Sequence, residues 1–126
     1  MTNSTLHTPF TISHTFEVKN RFFKTAMSET LAVRDNQPTE KYVQLYKRWA
    51  DGGAGILITG NVMIDRSALG EPGNVVVEDD THLAMLKSWA EAGTSTEIIY
   101  GCKLTTQENK HLSQSPKHQL HRVRYL

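Results

Sequence analysis

The run Gly55-Ile56-Leu57-Ile58-Thr59-Gly60 constrains the fold more than any other part of this chain. Its continuous apolar character, without polar alternation, is the signature of a strand buried on both faces, as in a parallel sheet covered by helices. The bounding glycines suit close approach by another backbone. A parallel strand needs a crossover from its neighbour, and the sequence supplies one directly upstream. Thr39 is placed to cap a helix in which Tyr42, Val43, Leu45, Tyr46 and Trp49 form one apolar stripe, and Asp51-Gly52-Gly53 stops it. Before that helix, Phe22, Phe23 and Lys24 lead into Thr25, Ala26, Met27 and Ser28, a short strand ending on small residues that leave its backbone approachable. Strand, helix, strand at this spacing is a βαβ unit.

Downstream, residues 61–80 form a long polar connection with Gly70, Pro72 and Gly73, and long loops after parallel strands usually carry function. Residues 82–92 return to helix period through Leu83, Met85, Leu86, Trp89 and Ala90, and Gly93-Thr94-Ser95-Thr96 ends the helix. A third strand is due there. Instead, residues 97–126 open with a short apolar patch and pass into Lys, His, Gln and Ser without period or caps. Charge changes at the same point: residues 1–96 hold 9 Lys+Arg and 11 Asp+Glu, whereas residues 97–126 hold 5 and 2.

The chain has 126 residues and a formal charge of +1, room for one ordinary domain and no general argument for nucleic acid as a partner. The single cysteine, Cys102, excludes an internal disulfide and a cysteine-based zinc site. No apolar run approaches the roughly 20 residues of a membrane span, and the polar start lacks the order of a signal peptide, so a cytoplasmic protein is expected.

The segments NRFFKTAMSE (Asn20 to Glu29), YKRWADGGAGILITGNVMIDR (Tyr46 to Arg66) and ALGEPGNVVVEDD (Ala68 to Asp80) resemble the amino-terminal part of the old yellow enzyme family, NADH:flavin oxidoreductases that carry FMN on a TIM barrel. The resemblance covers roughly residues 8 to 96 and keeps the family's order of first strand, first helix, second strand and following loop. It implies an α/β fold, an incomplete TIM (β/α)8 barrel with only the first two strand-helix units, followed by a disordered or mistranslated tail. It also implies the family's chemistry, hydride transfer from NAD(P)H through FMN to an electron-poor alkene or similar small-molecule acceptor.

By the same resemblance, Thr25, Ala26 and Met27 are backbone contacts of the flavin, and Ser28 stands where the family has a Thr, Cys or Ser that tunes the ring. Gly60 and Asn61 match main-chain positions beside the flavin's pyrimidine side. Many members have an acidic residue and Ala there, so the match at Gly60 and Asn61 supports a backbone contact only. Without the resemblance, residues 25–28 read simply as a strand end. No catalytic residue is assigned within this chain: the family's Gln and His on the third strand, its paired substrate donors and its late phosphate site have no counterpart. Gly52-Gly53-Ala54-Gly55 falls at a helix-to-strand turn, not in a phosphate loop, and eight barrel units need about 250 residues.

The break after Thr96 has an explanation in the genetic code. Residues 97–110 can be encoded so that triplets starting one nucleotide earlier read G-N-H-L-W-V-Q-I-N-H-P-G-K. That run is a third strand with the family's Q-x-x-H. Synonymous codons leave freedom, but Gly101-Cys102 and Thr105-Thr106 fix much of the shifted Trp and of the shifted Asn-His pair. The loss of one nucleotide near codon 96 accounts for it. Residues 1–96 then represent the amino-terminal part of an FMN-binding TIM-barrel oxidoreductase domain, and residues 97–126 an out-of-frame tail with no domain of its own. A chain of two such units leaves sheet edges unpaired and is expected to be inactive.

A second functional class is a non-catalytic α/β fragment whose basic tail, with His111, His118 and His121 among Lys110, Lys117, Arg122 and Arg124, binds an anionic partner. His118 and His121 alone are too few for a zinc site. A flavodoxin-like FMN carrier is disfavoured by the missing phosphate loop after the first strand. Cys102 has no suggested His partner that would make it a nucleophile. Tyr42, Tyr46 and Trp49 read as helix packing, and Asp79 and Asp80 as residues preceding or capping a helix.

Overall fold

A computed structural model describes residues 5–106. Strands β1 (Phe10–Ser13) and β2 (Phe16–Val18) form an antiparallel hairpin, a pairing the mixed sequence around Thr15–Phe23 does not announce. Strand β3 (Phe23–Lys24) then leads through an irregular segment, with a 3-10 turn at Arg34–Asn36, to helix α1 (Glu40–Asp51), strand β4 (Ile56–Met63), the two-residue strand β5 (Val75–Val76), helix α2 (Leu83–Gly93) and strand β6 (Ile99–Thr105). β3 and β6 both pair parallel with β4, so the helices are the crossovers that parallel pairing demands.

Both helices cover one face of this sheet. Tyr42, Tyr46 and Ala50 of α1, Leu57 and Val62 of β4, Val75, Trp89 and Ile98 form a single buried cluster. The helices meet through rings: Trp89 lies 4.7 Å from Tyr42 and 5.2 Å from Tyr46, centroid to centroid. Thr39 occupies the cap position of α1, but its hydroxyl donates to the Leu31 carbonyl at 3.3 Å and makes no side-chain cap. Asp79 accepts the Thr81 N–H at 2.9 Å just before α2, in keeping with a turn-forming role.

β4 runs three residues past Gly60, into the segment expected to be loop, because Val62 and Met63 find β5 as a parallel partner. The tail departs further from expectation. No order was expected from Glu97 onward, yet Ile99–Thr105 is the third parallel strand in the frame that gives this chain. The physical reason is a serviceable alternation: Tyr100, Cys102 and Leu104 pack on the core cluster, and the open edge of β4 offers a ladder. Two strand-helix units are therefore followed by one more strand. Lys110, His111, Lys117, His118, His121, Arg122 and Arg124 lie outside the described residues.

Candidate functional site: the carboxyl ends of the parallel strands

The ladder between β3 and β4 has only two rungs, Phe23 with Ile56 and Lys24 with Leu57. Beyond it the ladder ends, and Thr25, Ala26, Met27 and Ser28 continue as exposed residues outside any strand. Further along, β5 takes up the same edge of β4. In the interval between, the Glu29 carboxylate bridges the two strands, accepting the Gly60 N–H at 3.1 Å, the Tyr46 hydroxyl of α1 and the Lys24 ammonium at 3.4 Å. Lys24 also donates to the Ile58 carbonyl at 3.0 Å and lies over the Trp49 ring, 4.2 Å from its centroid.

This group is largely sealed from water, with side-chain exposures of 12% for Lys24 and 6% for Glu29. Burial lowers the Lys24 pKa from its usual value, against the opposing pull of Glu29. Burial raises the Tyr46 phenol far above its usual range, and the neighbouring Glu29 carboxylate adds to the effect, so Tyr46 serves as a neutral donor. The Tyr100 phenol and the Cys102 thiol are likewise pushed up by burial, which leaves Cys102 a poor nucleophile.

Gly60 lies directly against the first strand end. A Cβ there would fall 2.2 Å from the Met27 carbonyl oxygen and 2.2 Å from Glu29 Oε2, so only glycine lets these two backbones meet. On the other edge the β4–β6 register shifts between Ile58 and Asn61, and the buried Thr59 hydroxyl accepts the Lys103 N–H at 2.9 Å. The Lys103 ammonium reaches Asn61 Oδ1 at 2.8 Å.

The long loop folds back over the segment after β3. Asn74, buried, donates to Ser28 Oγ at 2.9 Å, and the Gly73 carbonyl accepts the Ala32 N–H at 3.0 Å. Gly73 has φ of +82°, and a Cβ there would meet the Thr30 carbonyl at 2.7 Å. Arg66 pins the loop from outside, reaching Asp35 at 2.9 Å and Glu78 at 2.8 Å, and it holds both carboxyls below their usual range.

Of the residues singled out from sequence, Met27 and Gly60 are thus in contact, Asn61 is the next residue along β4, and Ser28 turns to the loop. Thr25 and Ala26 lie on the exposed stretch between β3 and Met27. Gly52-Gly53-Ala54-Gly55 precedes β4 and so lies at the opposite end of the sheet. Sequence reasoning missed Lys24 and Glu29. Their signal was a lysine inside an aromatic strand and a glutamate five residues on, two charges in a segment otherwise short of them.

Parallel strands crossed over by helices, with the segment after β3 exposed beside β4, are the arrangement of part of a parallel α/β barrel, whose sites lie at the carboxyl ends of the strands. No protein-family model matches the chain. It is 37% identical over 98 residues to the NADH-dependent flavin oxidoreductase iliE of Hypocrea jecorina (strain QM6a), a match covering 71% of this chain and 24% of the relative. It is 37% identical over 75 residues to the NADH-dependent flavin oxidoreductase iccE of Talaromyces variabilis, covering 56% of this chain and 18% of the relative. Among solved structures, the old yellow enzyme homologue from Zymomonas mobilis superposes with a TM-score of 0.70 at 24% identity, over 80% of this chain and 28% of that one. A 2-naphthoyl-CoA reductase superposes with a TM-score of 0.73 at 20% identity, over 81% of this chain and 16% of that one. These structures share the fold, part of a TIM barrel. The chain belongs to the old yellow enzyme family of flavin oxidoreductases, and it spans less than a third of the length of each of these relatives.

Proposed function

We propose that this chain is the amino-terminal part of an FMN-dependent oxidoreductase that passes hydride from NAD(P)H to an electron-poor alkene or similar small molecule in the cytoplasm. The observation that carries the proposal is the contact of the Met27 carbonyl, just past the end of β3, with Gly60 in the carboxyl half of β4. There, the exposed residues 25–28 stand next to the carboxyl half of a parallel strand, and flat cofactors of barrel enzymes are held at that end of the sheet.

These residues fit one edge of a flavin. Thr25, Ala26 and Met27 would present backbone N–H and C=O groups to it, Ser28 Oγ its hydroxyl, and Gly60 and Asn61 the second strand end. FMN, when bound, supplies the hydride relay between reductant and acceptor. The protein's own part is to hold the two strand ends flush, which the Gly60 contact allows, and to keep charge off the Tyr46 hydroxyl behind them.

The chain alone carries two strand-helix units and a third strand, and we assign it no turnover. Lys103 of β6 stands at the position that the shifted frame fills with Gln, and its ammonium is taken up by Asn61. We read residues 97–126 as translated out of frame after one lost nucleotide. FMN retention tests both points. The purified 126-residue chain is expected to be colourless, and the product of the gene with one nucleotide restored after codon 96 yellow and bleached by NADH. FMN retained one-to-one by the 126-residue chain would overturn its inactivity, and a colourless restored product would overturn the flavin site.

The alternative, a fragment whose basic tail binds an anion, gains nothing specific from the described residues. Salt-dependent binding of a polyanion by the folded chain would favour it.

A further inference from the structure

We infer that Glu29 is the positioning residue of the strand-end site, a clamp that fixes Gly60 of β4 against Met27 where the main-chain ladder has already ended. The inference rests on the reading of these strand ends as the flavin's support, and it adds the residue that sets their separation.

Three observations carry it. First, β3 and β4 share no rung beyond Lys24 and Leu57, so residues 25–28 have no backbone ladder to hold them to β4. Glu29 replaces that ladder with a side chain. Second, its single oxygen Oε1 collects donors from three different elements: Lys24 of β3, Tyr46 of α1 and Gly60 of β4. A group bonded at once to both strands and to the helix between them fixes all three relative to one another. Third, Gly60 touches both the Met27 carbonyl and the far oxygen of the same carboxylate, so the junction has no slack in which Met27 can shift without moving Glu29.

The charge arrangement fits a clamp better than an incidental ion pair. A buried carboxylate is costly unless its lone pairs are satisfied and a cation faces it, and here one ammonium and two neutral donors do so. The Gly60 N–H is also within 3.3 Å of the Tyr46 hydroxyl, so the amide sits between two polar atoms that the carboxylate holds in place. The Lys24 ammonium has its own second acceptor, the Ile58 carbonyl, and the Trp49 face. Removing Glu29 therefore leaves Lys24 the Ile58 carbonyl at 3.0 Å, but leaves the Gly60 N–H only the longer Tyr46 contact at 3.3 Å.

The test is amide hydrogen exchange, read by NMR on the full chain without flavin. Glu29→Ala should raise exchange at Gly60 by about tenfold or more relative to Leu57 and Trp49, the scale expected for losing a hydrogen bond to a charged group. Glu29→Gln, which keeps an acceptor, should lose less. Lys24→Met added to Glu29→Ala removes the unpaired buried cation, so it should restore the unfolding midpoint but leave Gly60 exchange fast. That double variant also carries the test if Glu29→Ala alone does not fold.

Unchanged exchange at Gly60, an equal rise across β4 and α1, or recovery of Gly60 protection by Lys24→Met would each overturn the clamp and leave Glu29 a purely structural ion-pair partner. Because the exchange is read without flavin, a chain that never takes up FMN defeats the reading of the site alone. In the frame-restored protein, Glu29→Gln should also weaken FMN binding, and adding Lys24→Met should restore the unfolding midpoint without restoring FMN binding.

Discussion

Asn74 Nδ2 donates to Ser28 Oγ at 2.9 Å, joining the long loop after β4 to the segment that follows β3. Asn74 is 1% exposed, and its Oδ1 accepts the Glu71 N–H at 3.0 Å while its carbonyl accepts the Asn36 side chain. One side chain thus closes the loop's own turn and ties it to the candidate site.

Replacing Asn74 by Leu keeps the branched shape but leaves the Glu71 N–H without its acceptor. The expected cost is about 1–3 kcal/mol, read as a lower urea midpoint with an unchanged slope. Ser28→Ala removes only the hydroxyl partner and should cost less than Asn74→Leu. Equal effects would show that the Ser28 contact carries the whole tie.

Much of this was legible in sequence for physical reasons. The stripe of α1 has a strong helical period, and the glycine-bounded run of β4 is unbroken in its apolar character; both signals survive tertiary context. The meeting of Met27 with Gly60 was legible only through the resemblance, since nothing local says which backbone a glycine will face. The hairpin of β1 and β2 was missed because Phe10, Ile12 and Phe16 are all exposed and leave no buried alternation to read. β6 was missed because one strand's worth of alternation in a basic, His-rich tail is weak until the edge of β4 is there to pair with it. Glu29 and Lys24 were missed because a buried ion pair has no sequence period at all.

Gly60→Ala forces a methyl group against the Met27 carbonyl and the Glu29 carboxylate. Overpacking of this kind costs about 1–3 kcal/mol, and here it acts on backbone that cannot rotate away. Urea unfolding should show the loss, and Gly93 or Gly52 substitutions do not report on the strand ends. A neutral Gly60→Ala would contradict the contact.

Trp89 is buried, and among the described residues its indole Nε1 has no hydrogen-bond partner. Trp89→Phe therefore gives up ring volume but also relieves an unsatisfied donor, and it should cost less than about 2 kcal/mol. Trp89→Ala should cost about 3–5 kcal/mol, because it opens a cavity between Tyr42 and Tyr46. Thermal unfolding of the two variants separates the terms.

Alkaline pH should unfold the chain. The phenols of Tyr42, Tyr46 and Tyr100 are all raised above the ordinary 10.0, chiefly by burial, so the folded state keeps their protons longer than the unfolded state does. Their contribution is fully present below 10.0 and is lost as pH climbs towards the folded values. Lys24, lowered from 10.5, acts in the opposite sense, but its gain ends once pH passes 10.5. The unfolding midpoint should therefore fall from about pH 10 upward, and Tyr46→Phe should flatten that fall. A midpoint that holds steady there would contradict the burial of these hydroxyls.

The most direct test of an interrupted barrel is the nucleotide sequence of the gene across codons 92–110. Read one nucleotide earlier from the last base of the Thr96 codon, the actual codons should give G-N-H-L-W-V-Q-I-N-H-P-G-K, with the open frame continuing beyond it. Codons whose shifted reading lacks that strand, or meets a stop within it, would contradict the interruption and make β6 the chain's own third strand.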